Sequence, residues 1–241
     1  PPSHHSLDAS HITFGVFTAG VYSHKWKGEG SIFNGREPDE HRTGFDLGPL
    51  DSVSGRVWFL PRASLAMQVS VGHLTEAEPA EEGEPGIDVT RITASVTHHH
   101  LIAADGIWAS TAAWGRNAES EHATNAFLLE TNLTLEDRDT WYGRFEVVGK
   151  TAHDLDLAGD EIFTVSKLQG GYTRYLPAWR GVKPGLGVTA SAGFAPSSLE
   201  PFYGSRVNRG FGIFVTLRPA MMRMTRAGAG TSAPGQPPAA A

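Results

Sequence analysis

The strongest constraint in this sequence is a period of two. Apolar and polar side chains alternate through segments of roughly ten residues, and helical spacing is sustained nowhere. In one segment Val53, Gly55, Val57 and Phe59 alternate with Ser52, Ser54, Arg56 and Trp58. In another, Phe127, Leu129, Thr131, Leu133 and Leu135 oppose Leu128, Glu130, Asn132 and Thr134. Successive side chains on a strand point to opposite faces, so each segment is expected to be a strand with one greasy and one wet side. About eleven segments of this kind are expected, over 12–22, 25–34, 51–60, 65–74, 89–98, 107–116, 125–135, 140–150, 162–174, 185–195 and 209–218. The first, sixth and ninth have ambiguous faces.

Ten charged residues within these segments are expected on the wet side: Lys27, Glu29, Arg56, Arg91, Glu130, Arg144, Glu146, Lys150, Lys167 and Arg218. Hydrocarbon around the sheet would enforce that exclusion, because a charge facing lipid at mid-depth costs roughly 2–4 kcal/mol. A soluble sandwich gives the same alternation with the greasy side as its core. Aromatic placement favours the membrane. Trp26, Phe59, Trp108, Trp114, Phe127, Trp141, Phe194 and Phe211 lie near the ends of the apolar stripes, as in an interfacial girdle.

The connections alternate in length as well. Those near 23–24, 61–64, 99–106, 136–139 and 175–184 are mostly short, and those near 35–50, 75–88, 117–124, 151–161 and 196–208 mostly longer. Outer-membrane barrels have short periplasmic turns and longer outer loops. The expected fold is therefore an all-β, antiparallel, up-and-down transmembrane barrel in a bacterial outer membrane, with the C-terminus periplasmic. An odd strand count beginning on the outside implies an incomplete barrel: the C-terminal fragment of a longer one, or a chain whose partner supplies the rest. Residues 1–10 are expected to be irregular, 11–219 to form the barrel domain, and 220–241, rich in Pro and Ala, to be a disordered tail.

Composition sets outer bounds. A mean hydropathy of −0.24 looks soluble, yet only alternate residues of a barrel strand face lipid. No run of 18 apolar residues exists, so no transmembrane helix is expected. Cysteine is absent, which removes disulfides and thiolate metal sites. A net charge of −6 gives no reason to expect nucleic-acid binding. The start, Pro1-Pro2-Ser3-His4-His5, lacks a Met and a leader, as in a processed product or a fragment.

Several motifs carry a resemblance. Ser10-His11-Ile12-Thr13-Phe14-Gly15, Gly30-Ser31-Ile32-Phe33-Asn34-Gly35-Arg36-Glu37-Pro38-Asp39, Trp114-Gly115-Arg116-Asn117, Asn125-Ala126-Phe127-Leu128-Leu129-Glu130, Phe163-Thr164-Val165-Ser166-Lys167-Leu168 and Tyr203-Gly204-Ser205 resemble a family of uncharacterised, porin-like bacterial outer-membrane proteins. The likeness covers nearly all of residues 7–219 and corresponds to that family's C-terminal half. It implies the fold and the location, with no established substrate or catalytic residue. The tail after Pro219 departs from the pattern, since barrel strands read by the assembly machinery typically end the chain with an aromatic residue.

Few constellations point to chemistry. His98-His99-His100 falls where the fifth segment ends and is expected in a solvated turn. As a metal site it is weak, because neighbours on a strand diverge. The acidic stretch Glu76–Glu84 suits loosely held divalent cations near lipopolysaccharide, but lacks EF-hand spacing. No G-x-S-x-G or other nucleophile context occurs, so no enzyme and no cofactor are expected. The inward charges are the best functional clue. They would line a pore for small polar solutes or ions, or pair up inside a plugged interior. The leading expectation is a porin-like barrel among outer-membrane lipid and lipopolysaccharide. The alternatives are a closed structural or surface-interaction barrel with cation-binding outer loops, and an outer-membrane hydrolase. Oligomeric state is not legible.

Overall fold

A computed structural model describes residues 2–7, 13, 15–36, 44, 47–78, 86–102, 106–120 and 122–220. Eleven strands form one antiparallel sheet: β1 (Val16–Tyr22), β2 (Trp26–Phe33), β3 (Ser52–Arg62), β4 (Leu65–Glu78), β5 (Ile87–Ile102), β6 (Gly106–Ala118), β7 (Ala123–Leu135), β8 (Asp139–Thr151), β9 (Ile162–Tyr175), β10 (Val182–Phe194) and β11 (Val207–Pro219). Spatial order equals chain order, so the sheet is an up-and-down meander with β1 and β11 at its edges. It is not closed on itself: β1 and β11 are not paired with each other.

All eleven expected segments are strands, and most extend beyond the expected ends. The connections between β2 and β3, β8 and β9, and β10 and β11 are long, and those between β1 and β2, β3 and β4, and β7 and β8 are tight. One expected longer loop, 117–124, shrinks to residues 119–122 because β6 and β7 stay paired out to Ala118 and Ala123. A 13-residue strand such as β7 is ~43 Å long, and at a ~45° tilt it rises ~30 Å, a hydrocarbon thickness.

Register assigns every strand two faces, including the ambiguous first, sixth and ninth. Glu130 pairs with Arg144 and with Thr111, Thr111 with Thr97, and Arg144 with Gln169, so these side chains share one face. The opposite face carries Val57, Val69, Ala94, Ala112, Leu129, Phe145, Leu168, Val188 and Ile213. Among the described residues no second sheet covers it. Val69 is 58% exposed, Phe127 56%, Leu186 56% and Ile213 80%. The buried apolar cluster is small and lies elsewhere, with Phe33, Leu74, Ala77 and Val89 gathered toward the long-loop end of β2, β4 and β5. One cavity on the charged face is lined by residues from β1 through β5.

Two expectations need correction here. The described part of the N-terminal segment is not irregular: α1 (His4–Leu7) makes one turn and lies against the charged face at β5, β6 and β7. His98, His99 and His100 are not in a turn. β5 continues to Ile102 because its ladder with β6 holds through His98–Ser110, His99–Ala109 and His100–Trp108. Of the tail, only Ala220 lies among the described residues.

Candidate functional site

All ten charged residues singled out from the sequence lie on the same face. Lys27 pairs with Trp58, Glu29 with Arg56, Arg91 with Asn117, Glu130 with Arg144, Glu146 with Lys167, Lys150 with Phe163 and Lys183 with Arg218. Seven of the ten are basic and three acidic, a basic excess within a chain whose net charge is −6.

Several charge groups of described residues occupy this face. On β2 and β3, Glu29 holds Lys27, and Arg56 approaches it at 3.8 Å while leaning over the Trp58 ring at 6.0 Å. On β7 and β8, Arg144 donates to Glu130 Oε2 at 3.2 Å and to Glu146 Oε1 at 3.0 Å. Glu146 is 1% exposed and also accepts from the Ser3 hydroxyl, which ties the N-terminal segment to the middle of the sheet. Gly115 makes room for that segment: a Cβ there would stand 2.1 Å from the Ser6 carbonyl oxygen. At the short-turn end, Asp137 of the β7–β8 turn accepts from Lys183 Nζ at 2.6 Å and pairs with Arg218, whose guanidinium lies 4.1 Å over the Tyr175 ring. Burial pushes the Asp137 carboxyl up, but hydrogen bonds from Lys183 and Arg218 outweigh it and hold it below the usual carboxylate range.

The long-loop end has its own pairing. Arg36 donates to Glu76 Oε2 at 2.8 Å and to Asp51 Oδ1 at 3.0 Å, so the base of the acidic stretch is already engaged by a cation. Residues 79–85 of that stretch lie outside the described residues.

The apolar face carries all eight expected aromatics: Trp26, Phe59, Trp108, Trp114, Phe127, Trp141, Phe194 and Phe211. They form two rows. Trp26, Phe59, Trp108 and Trp141 sit toward the short turns, with Trp26 stacked on Phe59 at 4.3 Å and Trp141 5.3 Å from Tyr172. Trp114, Phe127, Phe194 and Phe211 sit nearer the long loops. Two of the indole N–H groups are partnered: Trp108 Nε1 donates to Thr131 Oγ1 at 2.7 Å and Trp114 Nε1 to Asn125 Oδ1 at 3.2 Å.

Charge is not wholly absent from the apolar face, contrary to the sequence reading. Arg116, Asp139, Arg174 and Arg209 point that way, all close to strand ends. Arg174 and Arg138 both donate to Asp139, at 2.7 and 2.9 Å, beside Tyr172. His98 and His100 also face this side and His99 the other, so the three rings diverge. Among the described residues no three His, Asp or Glu side chains converge as a metal site.

Sequence reasoning missed Ser3, Asn117, Asp137 and Lys183. Asn117 and Lys183 lie just beyond the expected strand ends, Asp137 is in a turn, and Ser3 reaches Glu146 across 143 positions of sequence.

No family model matches the chain, and no curated protein matches it. Two solved structures are similar. One is OmpT (in-vitro folded), an outer membrane protein of Vibrio cholerae, at 11% identity and a TM-score of 0.44, over 75% of this chain and 53% of that one. The other is an anion-selective porin from Comamonas acidovorans, at 10% identity and a TM-score of 0.49, over 74% of this chain and 49% of that one. The chain spans about half the length of each.

Proposed function

We propose that this chain forms the greater part of a bacterial outer-membrane β-barrel that gives small polar solutes or ions passive passage, with its charged face lining the lumen. One observation carries the reading: a single continuous sheet leaves most of its apolar face exposed while most of its charged strand residues lie on the other. Water does not tolerate an uncovered apolar surface of that extent, and hydrocarbon does. Two aromatic rows near the strand ends match the two interfaces of a bilayer. The same reading puts the short turns and the end of β11 in the periplasm and the acidic loops outside, where divalent cations would bridge them to lipopolysaccharide.

In this reading the lumen acts by width and field, without bond chemistry. Reconstitution of the full-length protein into planar bilayers is the test. Discrete conductance steps are expected; a folded, heat-modifiable and silent protein would count against passage.

A second reading, a closed barrel serving as a structural or surface module, is favoured by one contact: the Ser3 hydroxyl on Glu146, which lays the N-terminal segment across the charged face. Removing residues 2–7 would then turn a silent barrel into a conducting one.

A further inference from the structure

The apolar face carries a groove of about 470 Å³ between β4 and β8. Its shape follows from side-chain size. Ala94 pairs with Trp114 and Ala112 with Val96, so the two alanines are diagonal neighbours and form a low floor. Met67 and Val69 wall it on one side, and Phe127, Leu129 and Phe145 on the other. Trp114 stands toward the long-loop end, its ring steadied by the bond from Nε1 to Asn125 Oδ1 at 3.2 Å.

A cation adjoins this apolar groove. Arg116 follows Trp114 on the same face of β6, roughly 7 Å nearer the long loops. Its ladder partners Ile92 and Asn125 are uncharged, and so are its strand neighbours Trp114 and Ala118. The diagonal positions on the groove side, Ala94 and Phe127, are uncharged too, and a side chain as long as arginine reaches across such a diagonal. Arg174 on this face is answered by Asp139, whereas among the described residues no carboxylate pairs with Arg116.

We infer that the groove and Arg116 together hold lipid A, the phosphorylated acyl-glucosamine anchor of lipopolysaccharide, with an acyl chain on Ala94 and Ala112 and a phosphate on the Arg116 guanidinium. A chain lying in a trough touches floor and both walls, so dispersion favours it there over a flat surface. The guanidinium fork fits phosphate oxygens two at a time. A cation facing hydrocarbon is unfavourable unless an anion meets it, and a lipid phosphate meets it where the strand leaves the membrane. The long-loop position of Arg116 selects lipid A over a phospholipid, because the long loops are outside in the reading above and lipopolysaccharide occupies the outer leaflet. The inference therefore rests on the outer-membrane reading, though not on conductance: an open and a plugged barrel would present the same groove.

The test mixes full-length protein, folded in detergent, with lipid A, dephosphorylated lipid A or phosphatidylglycerol and counts retained lipid by native mass spectrometry. Retention of lipid A well above that of the other two is expected. Arg116→Gln should weaken lipid A binding about tenfold, the loss of a charged donor, and leave the dephosphorylated lipid unaffected. Ala112→Leu should weaken binding of both by filling the floor. Ala112 is exposed, so this variant decides the matter should Arg116→Gln fail to give heat-modifiable protein. Equal retention of phosphatidylglycerol or of dephosphorylated lipid, or unchanged retention in Ala112→Leu, would overturn the inference. Failure of the underlying reading looks different: a protein that stays folded and dispersed without detergent removes the membrane and the site together, whereas a detergent-requiring barrel that retains no lipid A removes the site alone. Silence in planar bilayers with lipid A retained removes passage and leaves the site.

Discussion

The ring of Phe214 lies directly over Gly187 on the neighbouring strand, so close that a Cβ there would stand 2.2 Å from its Cζ. Tyr142 covers Gly171 on β9 in the same way. Both pairs are on the charged face, where a glycine on one strand seats an aromatic ring from the next and pins the register between them. Gly187→Ala should therefore cost about 1–3 kcal/mol through overpacking. The cost should shrink when Phe214→Ala is added, and the temperature at which gel mobility changes would report both.

The apolar face makes a sharper prediction, because water and lipid give opposite answers. Leu129 is 56% exposed. Were that surface wet, Leu129→Arg would be nearly neutral. In a bilayer it should cost ~2–4 kcal/mol, whereas Thr111→Arg, on the charged face opposite Glu130, should cost little. Urea unfolding from phosphatidylcholine vesicles measures both.

Asp137 gives a pH dependence. Its folded carboxyl is held below its unfolded value by Lys183 and Arg218 after burial has opposed them. The linkage follows: this stabilisation is fully present above the unfolded pKa of ~3.9 and is lost as pH falls through the folded value. Wild type should therefore lose more stability between about pH 5 and pH 2 than Asp137→Asn does, while Asp137→Asn should be the less stable protein at neutral pH. Equal acid sensitivity would refute the role given to this turn.

Gly115 predicts the fate of the N-terminal segment. Any side chain there meets the Ser6 carbonyl oxygen, so Gly115→Val should lift residues 3–7 from the sheet and strip Glu146 of its Ser3 partner. Faster proteolytic clipping of that segment, with gel mobility of the remainder unchanged, is the expected result.

Much of this architecture was legible because alternation is a local signal. Phe127 and Leu129 declare their side from their own neighbours, and so do Arg56 and Glu130, with no knowledge of what lies across the ladder. The signal failed where both faces carry similar residues: in β6, Ala109, Ala112 and Ala113 blur the contrast. It failed again at strand ends, where Arg174 pairs with Asp139 on the apolar side. The His98–His100 run reads as a turn by polarity, but backbone pairing with Ser110, Ala109 and Trp108 keeps it extended. The contact of Ser3 with Glu146 has no local signature, and neither does the gathering of Arg56 and Arg91 from β3 and β5 around one cavity.

The strict match between spatial and chain order has a kinetic side. Each ladder joins a strand to its immediate predecessor, most through a short connection, so no segment has to search the whole molecule for its mate. Hairpins can close one after another, like teeth of a zip. A substitution in β2 should therefore slow only the ladders it shares with β1 and β3, and one in β11 only its ladder with β10.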